Sequence, residues 1–217
     1  TFILKKNPKK VYTIEKDDEL ALLLKDKFTD EITIINDDVL KISEDKISNE
    51  KLTVFGNLPY NISTEILSKW IVNIDKNFWF ENLVLMFQKE VAERIIAEPN
   101  TSKYGRLSIL SNWKLHIKKI IDIKPLSFSP RPKIDSTLLL FTPRENFFKL
   151  KEAKNLEMIT RVFFSQRRKM LKKPFNQIFN DAKAVSEKFN IDLNLRPQNL
   201  EPEMYFNLVK EYESLRS

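Results

Sequence analysis

A chain of 217 residues and 25.7 kDa, 42% of it hydrophobic, has room for one moderate domain with a real core plus a small second one. The absence of cysteine excludes a disulfide framework and cysteine zinc sites and fits the reducing cytoplasm, while no apolar run approaches the roughly 20 residues that span a bilayer and no signal-peptide pattern opens the chain. A net charge of +7 and a pI near 9.3 favour a polyanionic partner, although a lysine-rich composition alone produces such a balance.

In chain order, Lys10 to Ile14 and Glu31 to Ile35 read as strands, each followed by acids: Glu15 after the first, Asp37 and Asp38 after the second. A helix is expected between them over Asp18 to Lys27, with Asp17 as its N-cap. After the apolar run Leu52 to Gly56, the triplet Ser63-Thr64-Glu65 is expected to cap a helix whose Ile66, Leu67, Trp70 and Ile71 fall at helical spacing. Leu83 to Phe87 is a fully apolar strand, and a helix from Gln88 to about Ala97 is broken by Glu98 to Ser102. Leu115 to Ile123 and Ser136 to Phe141 read as two last strands joined by a Pro-rich loop. This is the βαβ rhythm of a parallel sheet. Trp70, Trp79 and Trp113 are expected in packing. The single histidine, His116, alternates with apolar residues on a strand and is a poor candidate for a base.

Near Thr142 to Glu145 the strand pattern stops and the remainder reads helical, which divides the chain into residues 1–144 and 145–217. The second part carries a basic segment, Leu156 to Phe179, read as helical and containing Arg161, Arg167, Arg168, Lys169, Lys172 and Lys173. Such a segment can dock on phosphates without reading bases. The alternative is a solvated helix face.

Asn57-Leu58-Pro59-Tyr60 has the composition needed to methylate an exocyclic amine. The amino group of adenine is a poor nucleophile because its lone pair is delocalised into the ring, so acceptors must be aimed at its hydrogens. An Asn side-chain oxygen and a neighbouring backbone carbonyl supply two. Proline stiffens the backbone beside them, and tyrosine offers a face on which an extruded base can stack. The other reading is a strand that ends in a Pro turn, with Tyr60 in the core. Carboxylates at the carboxyl ends of the first two strands stand where an open α/β sheet reads a nucleoside: one accepts from ribose hydroxyls, the next from the base. Asp37 or Asp38 could equally be loop solvation.

Four stretches carry a resemblance. Phe55 to Thr64, Gln88 to Ile95, Tyr104 to Ser108 and Phe128 to Ser136 resemble, in order and spacing, the motifs of the ribosomal RNA adenine N6-dimethyltransferases, above all those of the small-subunit (KsgA-type) branch. The resemblance runs from Val11 to the Arg196–Tyr205 tail. It implies an α/β fold, a Rossmann-like S-adenosylmethionine-dependent methyltransferase sheet, with residues 1–144 catalytic and 145–217 a small helical domain engaging the ribosome. It also implies N6,N6-dimethylation of two adjacent adenosines in small-subunit (16S) rRNA during ribosome assembly, by a cytoplasmic monomer with S-adenosyl-L-methionine as cofactor and no metal. The resemblance places catalysis at Asn57, Leu58, Pro59, Tyr60 and Phe128, and cofactor contacts at Glu15, Lys16, Asp38 and Asn57. RNA contacts fall at Arg106, Arg131, Lys133, Arg167, Arg168 and Lys169. In the family the aromatic matching Phe128 lines the target-base pocket opposite the tyrosine.

One departure matters. The family's Gly-rich cofactor loop has no counterpart here, because the only glycines are Gly56 and Gly105. Thr1 to Lys6 looks like the helix that would follow that loop, so the first strand and the loop are expected upstream of these residues. The alternative is a natural cofactor-binding defect, which would leave a non-catalytic RNA-binding assembly factor. A large-subunit enzyme of the macrolide-resistance type is a third possibility. Its motif more often reads Asn-Ile-Pro-Tyr, and Leu58 argues against it.

Overall fold

The protein is described by a computed structural model covering residues 3–74 and 77–216. It divides into two compact units, Thr1–Lys51 and Leu52–Ser217.

The first unit is built on two parallel strands, β1 (Tyr12–Glu15) and β2 (Thr33–Asn36), joined by helix α1 (Asp18–Phe28). Asp17 does cap α1: its carboxylate accepts from the Leu20 amide at 2.9 Å. Asp18 and Glu19 in the first turn and Lys25 and Lys27 in the last complement the helix dipole. The register sets Glu15 beside Asn36, so the two strands end together. Asn36 Nδ2 donates to the Glu15 carbonyl and to Asp18 Oδ1, both at 3.1 Å, and ties the strand ends to the start of the helix. The helix expected over Thr1 to Lys6 reduces to a short 3-10 turn, Leu4–Lys6; Thr1 and Phe2 lie outside the described residues.

The second unit centres on a four-stranded sheet. Its strands are β3 (Leu52–Asn57), β4 (Phe80–Gln88), β5 (Leu115–Ile123) and β6 (Ser136–Pro143), in the order β3-β4-β6-β5. β3 runs parallel to β4, and β6 runs antiparallel to both β4 and β5. The two last strands expected from the sequence are therefore present, and they pair as an antiparallel hairpin that closes the sheet. Between the strands lie α2 (Ser63–Asn73), α3 (Lys89–Ile95) and α4 (Arg106–Lys114). Ile66, Leu67, Trp70 and Ile71 of α2 are buried as their spacing requires, and Trp113 is buried with them. Trp79 is half-buried and meets Trp70 edge-on at 5.5 Å.

Beyond Pro143 the regular elements among the described residues are helical, with α5 (Ala153–Ser165), α6 (Lys172–Ile178), α7 (Ala182–Lys188) and α8 (Pro202–Ser214) in turn. α5, α6 and α8 meet in an aromatic cluster of Phe163, Phe175 and Tyr205, and α5 and α8 pack back on α4. Two local expectations change. α2 starts from Ile62, not from a Ser63 cap, because the Ser63 hydroxyl turns back to donate to the Tyr60 carbonyl at 3.1 Å. The basic segment is not one helix: it breaks between α5 and α6, and Arg167, Arg168 and Lys169 stand on that break.

Candidate active site

The reactive corner grows out of the end of β3. The strand alternates half-buried and exposed residues and ends on exposed Asn57, whose Cα pairs with that of Met86 on β4. Among the described residues the Asn57 side chain makes no hydrogen bond, so its carbonyl oxygen is free to accept. Gly56 makes the approach possible. A Cβ there would sit 2.7 Å from Leu85 Cδ2 and 3.0 Å from Leu58 Cδ2, so the absence of a side chain at position 56 lets both leucines lie where they do.

Pro59 then turns the chain, and its carbonyl accepts from the Ile62 amide at 3.1 Å. Tyr60 is half-buried, not sealed in the core, and its hydroxyl shares a 2.6 Å hydrogen bond with the hydroxyl of Ser136. Asn57 and Pro59 remain exposed, so the corner stays open. Phe128 follows a 3-10 turn, Pro125–Ser127, in extended backbone at φ −120° and ψ 149°. Its side chain is half-buried, and it makes no ring contact with Tyr60. Arg131 and Lys133 on the same loop are exposed and have no ion-pair partner among the described residues.

Salt bridges close the root of that loop. Lys124 pairs with Asp135 at 2.7 Å, and two residue pairs further in, Asp122 takes hydrogen bonds from Lys119 (2.8 Å) and Thr137 (2.7 Å). The Lys119 and Thr137 donors hold the Asp122 carboxyl down to about 2.

Tyr104-Gly105-Arg106-Leu107-Ser108 proves to be a helix start. The Ser108 hydroxyl accepts from the Gly105 amide at 2.9 Å and donates to the Gly105 carbonyl at 2.8 Å, and Arg106 is exposed in the first turn of α4. Tyr104 is wholly buried and donates to the Leu200 carbonyl at 2.9 Å; burial pushes its phenol well above the ordinary range.

The three basic residues on the break differ. Arg167 is spent on the fold: its guanidinium donates to the Thr101 carbonyl at 2.9 Å and to Gln198 Oε1 at 3.1 Å. Arg168 and Lys169 have no partner among the described residues and line a hollow of about 630 Å³ with Lys172, Lys173, Asn176, Asn194 and Arg196. No carboxylate lines it. A second hollow of about 740 Å³, lined by Arg106, Arg94, Glu90 and Glu157 among others, is of mixed charge. Neither is lined by the corner residues.

In the first unit, Glu15 Oε1 accepts from the Asp17 amide at 2.9 Å, which fixes the carboxylate beyond the end of β1 and leaves its second oxygen without a donor among the described residues. Lys16 pairs with Asp38 at 2.8 Å, and Asp38 also accepts from the Leu40 amide at 3.0 Å. The hydrogen bond with Lys16 lowers the Asp38 carboxyl, and the same bond raises the Lys16 ammonium. Carboxylate acceptors at the ends of neighbouring parallel strands suit the donor groups of a nucleoside, so these residues fit that part of S-adenosylmethionine.

Sequence reasoning gave no role to Ser136 or to Arg196, Asn194 and Asn176. Ser136 was visible as the last residue of the Phe128 motif. The other three carried no local signal.

A family model described as ribosomal RNA adenine dimethylase matches residues 1–214. The chain is 77% identical over 216 residues to the ribosomal RNA small subunit methyltransferase A of Pelagibacter ubique (strain HTCC1062), covering 100% of this chain and 82% of that protein. It is 42% identical over 219 residues to the protein of the same name from Wolbachia sp. subsp. Drosophila simulans (strain wRi), covering 98% and 78%. Among solved structures, a dimethyladenosine transferase from Plasmodium falciparum superposes with a TM-score of 0.79 at 25% identity, over 95% of this chain and 82% of that one. The 23S rRNA methyltransferase ErmE, at 19% identity and a TM-score of 0.63 over 96% and 83%, shares the fold. The Rossmann-like methyltransferase fold expected from the motifs thus holds, and the chain belongs to the ribosomal RNA adenine dimethylase family.

Proposed function

We propose that this chain transfers two methyl groups to the N6 amine of each of two adjacent adenosines in small-subunit (16S) rRNA, using S-adenosyl-L-methionine, in the cytoplasm and as a monomer. The observation that carries the reading is the exposed Asn57 amide, unpaired at the end of β3 on a corner stiffened by Pro59 and by the Tyr60–Ser136 bond. The 77% identical relative named for the small subunit supports the choice of substrate.

In this reading an unpaired or flipped adenosine stacks on Tyr60, with Phe128 on its other face. Asn57 Oδ1 takes one hydrogen of the amine. The Pro59 carbonyl already serves the Ile62 amide, so the Leu58 carbonyl takes the other. Both acceptors draw the nitrogen toward a tetrahedral shape and aim its lone pair, which raises its nucleophilicity as charge develops. When bound, S-adenosyl-L-methionine would supply an electrophilic sulfonium methyl, and its sulfur would leave as the neutral thioether as the methyl passes to the amine. Glu15 and Asp38 accept from its nucleoside part, and Lys16 keeps Asp38 ionised. Positioning in a partly desolvated corner does most of the work, and the surplus proton leaves to water.

Residues 145–217 engage the ribosomal subunit in this scheme, with Arg168 and Lys169 in the basic hollow and Arg106, Arg131 and Lys133 exposed for phosphate contacts. The test is methyl transfer from labelled S-adenosylmethionine to isolated subunits. Small-subunit rRNA should accumulate N6,N6-dimethyladenosine; label confined to large-subunit rRNA, or found in neither, contradicts the assignment.

A further inference from the structure

Tyr60 needs only its ring to stack on a base, yet its hydroxyl is pinned at 2.6 Å on the hydroxyl of Ser136, a residue with no exposed surface. Ser136 stands where β6 leaves the Phe128 loop. It is held on both sides, paired with Gln88 of β4 and Ile123 of β5. Its neighbour Asp135 accepts from the Lys89 amide at 3.0 Å and clasps Lys124 across the loop root at 2.7 Å. A hydrogen bond therefore ties the corner to the loop: the tyrosine hydroxyl cannot swing away without breaking its bond to the root from which Phe128 extends.

We infer that Ser136 is a positioning residue that sets the tilt of the Tyr60 ring toward the Phe128 loop, and that this setting governs the second methyl transfer more than the first. The inference rests on the proposed adenosine methylation. An unmodified amine offers two hydrogens, so two acceptors orient it even between loose walls. A monomethylated amine offers one hydrogen and adds a methyl group, so its orientation depends on the aromatic walls. Slack in the tyrosine penalises that step.

The experiment is a single-turnover time course on small subunits, resolved by mass spectrometry into mono- and dimethyladenosine, for the parent, Ser136→Ala, Tyr60→Phe and the double variant. Each single variant removes the same hydrogen bond and should slow the second transfer roughly fivefold, with a smaller effect on the first. Monomethyladenosine should then accumulate. The double variant should be no slower than either single one, because the bond can be lost only once. Unchanged mono-to-dimethyl ratios, or both transfers slowed equally, would overturn the inference, as would losses that multiply in the double variant. Tyr60→Phe keeps the ring and decides the matter even if Ser136→Ala folds poorly. A parent that methylates no small-subunit adenosine instead removes the reading beneath the inference.

Discussion

The corner at Asn57 and the basic hollow at Arg168 solve opposite problems in the same unit. At the corner the groups are neutral and over-determined. Gly56 lets Leu58 lie against the strand, Pro59 fixes the turn, and Tyr60 is tied to buried Ser136, so one amide is left unpaired in a stiff frame. In the hollow, Arg168, Lys169, Lys172, Lys173 and Arg196 gather with no lining carboxylate, and Arg168 and Lys169 are exposed. Preorganised neutral acceptors act where charge develops during reaction, whereas exposed cations add affinity that does not depend on base identity and that salt weakens. On the proposed function, rate and affinity would therefore fall to separate residues.

The sharpest way to break this division is at Asn57. Asn57→Ala should cut methyl transfer roughly 100- to 1,000-fold while cofactor and subunit binding stay near normal, as removal of a transition-state acceptor does. Isothermal titration with S-adenosylmethionine and single-turnover assays would show it. On the other side, Arg168→Ala with Lys169→Ala should weaken subunit binding about tenfold and lower the slope of log affinity against log salt by about 1 for each cation. Rapid transfer at saturating subunit should survive.

Two smaller effects sharpen the contrast within each region. Arg167 adjoins Arg168 in sequence but donates to Thr101 and Gln198, so Arg167→Ala should destabilise the fold by about 1–3 kcal/mol in thermal unfolding, and Arg168→Ala should not. Gly56→Ala must push Leu58 and Leu85 apart, with a cost of about 1–3 kcal/mol and slower transfer. The slightest effect concerns pH. The Asp122 carboxyl stands near 2 in the folded protein, below its ordinary 3.8, so its contribution is complete above the ordinary value and fades as pH falls toward 2. The loop root should therefore be indifferent to pH near neutrality. An NMR titration of Asp122 with a midpoint near 4 would dissolve that network.

Much of the frame was legible because its signals are local. Asp17 before an apolar-periodic run marks α1, and the runs at Leu115 and Ser136 mark the closing hairpin. The residue types of Asn57 to Tyr60 suggested acceptors beside a stacking face but left a Pro turn with Tyr60 in the core as the other reading, and only the fold shows Asn57 exposed and Tyr60 half-buried. Helix α4 was hidden because Ser108, Ser111 and Lys114 occupy its buried positions, which blurs the apolar stripe. Lys114 is buried by satisfying backbone groups: it donates to the carbonyls of Ile71 (3.0 Å) and Ile74 and lies 3.9 Å from the Trp113 ring centroid. The break at Arg167 to Lys169 did have a signal, since Pro174 is tolerated only in the first turn of a helix and so requires a fresh start just before it. Ser136 lies 76 residues from Tyr60, and Arg196 lies far along the chain from Arg168. Partnerships at that separation exist only after folding.

The most direct test measures two quantities on the same preparations of Asn57→Ala and of Arg168→Ala with Lys169→Ala: subunit affinity, and the methyl-transfer rate at saturating subunit. A crossed pattern is predicted, with the first variant binding normally but nearly inert and the second binding weakly but reacting at close to the parent rate. If affinity and rate fall together in both variants, the separation of chemistry from docking is wrong.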